Sequence, residues 1–342
     1  MKILAGLPAL VCGVCLTATM CSAQSSYSIT DLGALNTNGY SAATAINATS
    51  EVTGAAGTTS NNVSEVFLYD KGKMSNLGTL GGTSGIGNAI NKSGQVAGYS
   101  QNSKNVYRGF LTVGSAMVDI GDLGGGSAVA YGINDVGQVV GSAVTADGSN
   151  HPFLYSNGAM TDLGTLGSPK GNSWWNVAQA VNNSGVVAGT SYDAHANFFG
   201  FVWSDGKMTK MGTLGGAWSQ GYAINNKGQV TGVGYTKAGL AHAFIASCAT
   251  CALKDLGTFA GGSSTVWGFG INDSGVIVGR STFSNTYHAF VYSAGKIKDL
   301  NVMIPAKSGW VLIEADGINA TGQIVGMGTH NGQEHGFLLT PQ

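Results

Sequence analysis

Charge is scarce in this chain. Of its 342 residues, 10% are Asp, Glu, Lys or Arg, and 16 basic against 17 acidic side chains leave a net charge of −1. With no basic excess there is no source of the counterion release that drives nucleic-acid binding, which argues against such a partner. Proline is rare as well, with 5 copies, and the 55 glycines follow no three-residue period, which excludes collagen. Glycine in this quantity also argues against helical bundles, because each one costs about 1 kcal/mol against Ala in a helix interior. Disorder is disfavoured, since 43% of residues are hydrophobic and can bury enough surface to offset the entropy of ordering. An all-β, turn-rich protein remains.

Cysteine is sparse too, and three of the five (Cys12, Cys15, Cys21) lie near the N-terminus. There Lys2, a mostly apolar stretch over residues 3–20, and Cys21-Ser22-Ala23 before Gln24 read as a signal peptide, residues 1–23, removed on export. None of these Cys follows the small residue that a lipobox requires. The expected mature chain, 24–342, is a single domain that is secreted, periplasmic or on the cell surface of a bacterium, with no membrane span once the signal is gone. The two remaining cysteines, Cys248 and Cys251, are expected to form a local disulfide in that oxidising compartment. A zinc site there would need two further ligands at suitable spacing, and none is adjacent.

What is abundant is repetition. An Ile-Asn or Val-Asn pair recurs at Asn47, Asn91, Asn134, Asn182, Asn225, Asn272 and Asn319, spaced 44, 43, 48, 43, 47 and 47 residues apart. Three residues after each Asn stands Gly, with Ser50 in the first copy, and N-x-x-G is a tight-turn signature. Seven residues after each Asn stands Gly without exception: Gly54, Gly98, Gly141, Gly189, Gly232, Gly279 and Gly326. A Phe follows in each copy (Phe67, Phe110, Phe153, Phe201, Phe244, Phe290, Phe337), then an Asp-Leu-Gly type motif. Each copy thus holds four short strands, the size of a β-propeller blade. The chain opens on a lone fourth strand, Tyr27 to Gly33, and closes on a third, so each end lacks what the other has. The expected fold is an all-β, seven-bladed β-propeller of four-stranded antiparallel blades, closed by the N-terminal strand completing the last blade.

Three motifs, His242-Ala243-Phe244 with His288-Ala289-Phe290, Asn76-Leu77-Gly78-Thr79-Leu80-Gly81-Gly82, and Gly270-Ile271-Asn272-Asp273-Ser274-Gly275, together resemble the HAF family of extracellular bacterial repeats. The likeness covers residues 27–342. It departs at Glu65-Val66-Phe67, Arg108-Gly109-Phe110 and Phe199-Gly200-Phe201, where the namesake His is missing. The resemblance implies secretion and a repeat architecture, and brings with it no activity, catalytic residue or cofactor.

Chemistry-bearing patterns are thin: there is no G-x-S-x-G elbow, H-E-x-x-H pair, calcium loop or phosphate loop. His151, His242, His288 and His335 share one position in the repeat and are expected to be buried, bonded to a neighbouring blade or loop. The Asp of the Asp-Leu-Gly motif also repeats, at Asp31, Asp119, Asp162, Asp255 and Asp299, with Asn76 and Lys210 as substitutes. Groups that recur blade after blade suit packing, whereas a catalytic site is asymmetric. No catalytic residue, metal ligand or cofactor is assigned.

The tryptophans break the symmetry. Trp174, Trp175, Trp218, Trp267 and Trp310 fall where a fourth strand connects to the next first strand, on the face bearing the longer loops. Loops on a rigid scaffold are where binding resides, and aromatic planes stack on sugars or anchor a protein. These Trp, with Asn172, Ser173, Gln179, Ser219 and Gln220 as a polar rim, are expected to bind an extracellular glycan or protein without catalysis. Two alternatives stand beside this. The rings pack between blades or plug the channel mouth, or the chain is a polysaccharide hydrolase or lyase using loop-face carboxylates among Glu51, Glu65, Glu314, Glu334 and the Asp residues.

Overall fold

The computed structural model describes residues 26–36, 39–58, 63–169, 175–258, 262–284 and 286–342. Residues 1–23, the expected signal peptide, lie outside the described residues, as do Asn172, Ser173 and Trp174.

The described chain is all-β, apart from one turn of 3-10 helix at Leu300–Val302. In the first copy the strands Ser41–Ile46, Val52–Gly57, Ser64–Asp70 and Lys73–Gly78 lie side by side in sequence order, each antiparallel to the next. The same four-stranded order recurs in the next three copies. The fifth and sixth copies are joined by one parallel bridge, Ala241 to Thr265, into a single eight-stranded sheet. The last sheet takes Trp310–Ile318, Ile324–His330 and Gln333–Pro341 from the end of the chain and Tyr27–Asp31 from its beginning, in register from Tyr27 opposite Pro341 to Asp31 opposite Phe337.

The repeated residues build this unit. Asn134 shows the turn: its Oδ1 accepts the amides of Val136 (3.2 Å) and Gln138 (2.9 Å), and Gly137 takes φ +83° to close the hairpin. Its Nδ2 donates to the carbonyl of Asn182 in the next copy, 2.9 Å away. Every copy repeats this bond, and Asn319 donates to the carbonyl of Asn47.

The invariant glycine answers a different demand, since none of the seven has positive φ. The first strand bulges beside it, as the register shift between Ala130 and Gly132 shows, and a Cβ on Gly141 would stand 2.0 Å from the carbonyl oxygen of Val129. Directly across the sheet from each such Gly lies the repeated Phe, fully buried, and at Gly54, Gly141, Gly189 and Gly279 its ring comes within 2.9 Å of where a Cβ would stand.

The core lies between neighbouring sheets. Leu312, Ile324 and Phe337 of the last sheet pack on Val278, Ala289 and Val291 of the sixth, while Val325 and Leu338 pack on Ala43, Val52 and Phe67 of the first. Cys248 and Cys251 are disulfide-bonded within a turn, Cα atoms 5.1 Å apart. Among the described residues no helix is long and apolar enough to cross a membrane.

Candidate functional site

The recurring His and Asp find each other within one sheet. His151 Nδ1 meets the Asp162 carboxylate at 2.8 Å, His242 meets Asp255 at 2.8 Å, and His288 meets Asp299 at 2.7 Å. His335 meets Asp31 at 2.9 Å, across the two chain ends. These imidazoles are part-exposed and pair with the adjoining fourth strand, which corrects the expectation of a buried His bonded to a neighbouring blade or loop. Where the His is missing the contact is remade: Glu65 bonds Asn76 and Lys210 sits 3.3 Å above the ring of Phe199, both partners having changed, while Arg108 bonds the retained Asp119. Within the Asp-Leu-Gly motif the carboxylate also accepts the glycine amide, as Asp162 does from Gly164 at 2.7 Å.

An asymmetric site lies at the other ends of the first strands. Trp175, Phe198, Trp218, Gln220, Tyr222, Trp267, Phe269 and Arg280 line a cleft of about 330 Å³. On one side Phe198 bridges Trp175, centroids 6.2 Å apart and nearly parallel, to Trp218 at 4.9 Å. On the other, the Arg280 guanidinium lies 4.6 Å from the ring of Trp267, 4.7 Å from Tyr287 and 5.6 Å from Phe269. Tyr222 donates its hydroxyl to Gln220 (2.6 Å), and burial pushes that phenol up to about 12.

Arg280 is held by Glu314, Nη1 to Oε2 at 2.5 Å, while its Nε is buried with no hydrogen-bond partner. Glu314 in turn neighbours Asp316, two residues along the same strand. Asp316 faces a cavity of about 270 Å³ lined by one residue from the same position of each copy: Thr44, Asn88, Tyr131, Gln179, Tyr222, Phe269 and Asp316. Enclosure by protein and the neighbouring Glu314 charge hold the Asp316 carboxyl well above the usual carboxylate range, Arg280 opposing.

Of the tryptophans singled out from sequence, the structure brings Trp175, Trp218 and Trp267 to this cleft. Trp310 is elsewhere, 9% exposed, stacked on His330 and edge-on to Phe337. Trp218 and Trp267 stand inside strands, Gly215–Ile224 and Gly262–Ile271, instead of in connections, because the first strand runs back through its bulge to the Gly-Gly pair. Gln220 borders the cleft, Gln179 lines the cavity instead, and Ser219 is fully buried, bonding Gly200 and Gly212. Phe198, Tyr222, Phe269 and Arg280 were missed in the sequence, and Glu314 and the Asp residues were named only as candidate hydrolase carboxylates. The signal existed: Glu314, Asp316 and Arg280 are each the one charged residue among seven equivalent positions.

No protein-family model matches the sequence, and no curated protein sequence matches it. Solved structures do match. The β-propeller domain of the Trilobed protease from Pyrococcus furiosus is similar at TM-score 0.58 and 12% identity, over 89% of this chain and 93% of that one. A prolyl endopeptidase is similar at 0.55 and 11%, over 82% and 45%, and TolB from Acinetobacter baumannii at 0.50 and 11%, over 72% and 61%. This chain therefore spans less than two thirds of the last two. At these identities the likeness establishes the fold, a β-propeller, and nothing of activity.

Proposed function

We propose that this chain is an exported, seven-bladed propeller of the HAF-like repeat type, closed by Tyr27–Asp31, whose loop face binds an extracellular glycan without covalent chemistry. Export rests on the N-terminal sequence, residues 1–23, with the mature domain at 24–342. Seven blades are supported by the cycle of seven Asn-to-carbonyl bonds that returns from Asn319 to Asn47. Closure is supported by the pairing of the first strand with the last.

The observation that carries the binding role is the cleft itself. Three indoles and two phenyl rings bound a space with Gln220, the Tyr222 hydroxyl and Arg280 at its walls, the mixture of flat apolar surface and fixed donors that sugar rings require. Compensation of Arg280 by Glu314 favours a neutral glycan over an anionic one or a charged protein. The hydrolase reading gains little here: a glycosidase sets two carboxyl groups across the bond it cleaves, whereas the described cleft-lining residues include no carboxylate, Glu314 being paired with Arg280 and Asp316 facing the neighbouring cavity.

A glycan array on the mature chain, followed by titration calorimetry of the hits, tests the reading. Binding that weakens in Trp218→Ala and Trp267→Ala, with no cleavage of the bound polysaccharide, is the expected result. Cleavage that disappears in Glu314→Gln replaces it with the enzyme, and absence of any glycan among the ligands returns the choice to a protein partner.

A further inference from the structure

The last sheet carries something that the other His–Asp pairs lack. In the third, fifth and sixth copies one imidazole faces one carboxylate, and the residue at the end of the second strand is Thr145, Thr236 or Phe283. In the last copy that residue is His330, and its Nδ1 also reaches Asp31, at 2.8 Å. One atom from each of Asp31, His330 and His335 lies within 4.8 Å of the others. They come from three strands: Tyr27–Asp31 at the start of the chain, and Ile324–His330 and Gln333–Pro341 at its end.

We infer that Asp31, His330 and His335 form a binding site for a divalent transition metal of the zinc class, which clasps the two ends of the chain together. Two imidazole nitrogens and one carboxylate oxygen, with water in the fourth position, are a donor set that suits zinc, whereas calcium and magnesium take oxygen. A tetrahedral ion with bonds of 2.0–2.1 Å spaces its ligands about 3.3 Å apart. The Nδ1-to-carboxylate distances, 2.8 to 3.0 Å, need to open by only a few tenths of an ångström.

The surroundings hold the ligands as an outer shell does. Asp31 Oδ1 accepts the Gly33 amide at 2.8 Å, which leaves Oδ2, the oxygen nearer His330, for an ion. The His330 ring lies parallel to Trp310, 1° between planes and 4.8 Å between centroids. Its Nε2 is 3.2 Å from the Asn331 amide. When Nδ1 takes the metal, the imidazole proton moves to Nε2, and the Asn331 side chain, turned over, presents its oxygen to that N–H. No proton is lost from neutral rings.

The test uses the mature, tag-free chain stripped with a chelator. Zinc is added and followed by calorimetry and thermal unfolding. One equivalent should bind at micromolar concentration or below and raise Tm, because a ligand that requires both chain ends assembled stabilises the assembled state. Magnesium and calcium should do neither. His330→Thr, which installs the residue present in the third and fifth copies, should weaken zinc binding at least about 10-fold and abolish the rise in Tm, while His242→Gln should change neither. A parent chain that binds no zinc below 100-fold molar excess, or a His330→Thr variant that binds as tightly as the parent, overturns the site and leaves a hydrogen-bonded cluster. Should His330→Thr not fold, cobalt on the parent decides: intense visible bands of tetrahedral Co²⁺ support the site, and only the pale spectrum of hydrated ion refutes it.

Discussion

The side-chain amide of Asn319 donates to the main-chain carbonyl of Asn47, 3.1 Å away and 272 positions earlier in the chain. It is the seventh member of a series in which each turn Asn is buried and serves the next copy. The carboxamide is used at both ends, its oxygen by two turn amides and its nitrogen by the neighbour, so no other side chain of this size replaces it.

The Asn134 position shows the consequence. Asn134→Ala leaves the amides of Val136 and Gln138 without their acceptor and takes from the Asn182 carbonyl one of its two donors, the Gly185 amide remaining, and should cost about 2 to 4 kcal/mol by urea unfolding. Asn134→Asp keeps the turn acceptor but sets a carboxylate against that carbonyl. It should be more harmful at pH 7 than at pH 4, where protonation restores a donor.

Gly189 and Gly212 separate two uses of glycine. A Cβ at Gly189 would lie 2.1 Å from the Val177 oxygen and 2.8 Å from the Phe201 ring, whereas one at Gly212 meets nothing within 4 Å, and neither residue has positive φ. Gly189→Ala should lose at least about 3 kcal/mol or fail to fold. Gly212→Ala should be neutral or slightly stabilising, through the lower entropy of its unfolded chain.

That contrast also explains what the sequence made legible. Gly189, Asn319 and Phe201 are dictated by a geometry repeated in every copy, so periodicity alone locates them and sets the strand order, including the exchange of strands between the ends. Strand starts were harder to place, since the Gly-Gly at Gly215 and Gly216 reads as a turn but continues the strand. The cleft was half legible: Trp175, Trp218 and Trp267 broke the repeat visibly. Arg280 and Glu314 are 34 positions apart on different sheets, and nothing local marks them as partners. Trp310 shows the reverse error, because an indole that fills a core and one that borders a cleft look alike in sequence.

Asp316 should make stability fall as pH rises. In the unfolded chain an Asp ionises near pH 3.9, about the ordinary value, while in the fold its carboxyl is held protonated to a higher pH. Its contribution is therefore fully present below about pH 4 and lost as pH rises through the raised folded value. Asp316→Asn keeps the size of the side chain without the ionisation. The variant should gain on the parent from pH 4 upward, by about 1.4 kcal/mol for each unit by which the folded value is raised. Parallel stability curves for the two chains would show that Asp316 titrates normally.

Trp218 and Trp310 were alike in sequence and should behave oppositely. Trp310 is almost fully buried among Leu312, Ile324 and Phe337, so Trp310→Ala opens a cavity and should cost about 3 to 5 kcal/mol of stability. Any loss of ligand binding in that variant should track the unfolded fraction. Trp175 is 44% exposed, and Trp218 is part-exposed with one face to the cleft, so their removal should cost far less stability. Trp218→Ala should instead weaken glycan binding by about 1 to 3 kcal/mol, the size of an aromatic hot spot, with Tm lowered by only a few degrees. Calorimetry of unfolding and of binding on the same preparations separates the two effects. A Trp218→Ala chain that binds as tightly as the parent but melts far earlier would assign the indole to packing, and the binding surface would then have to exclude this cleft.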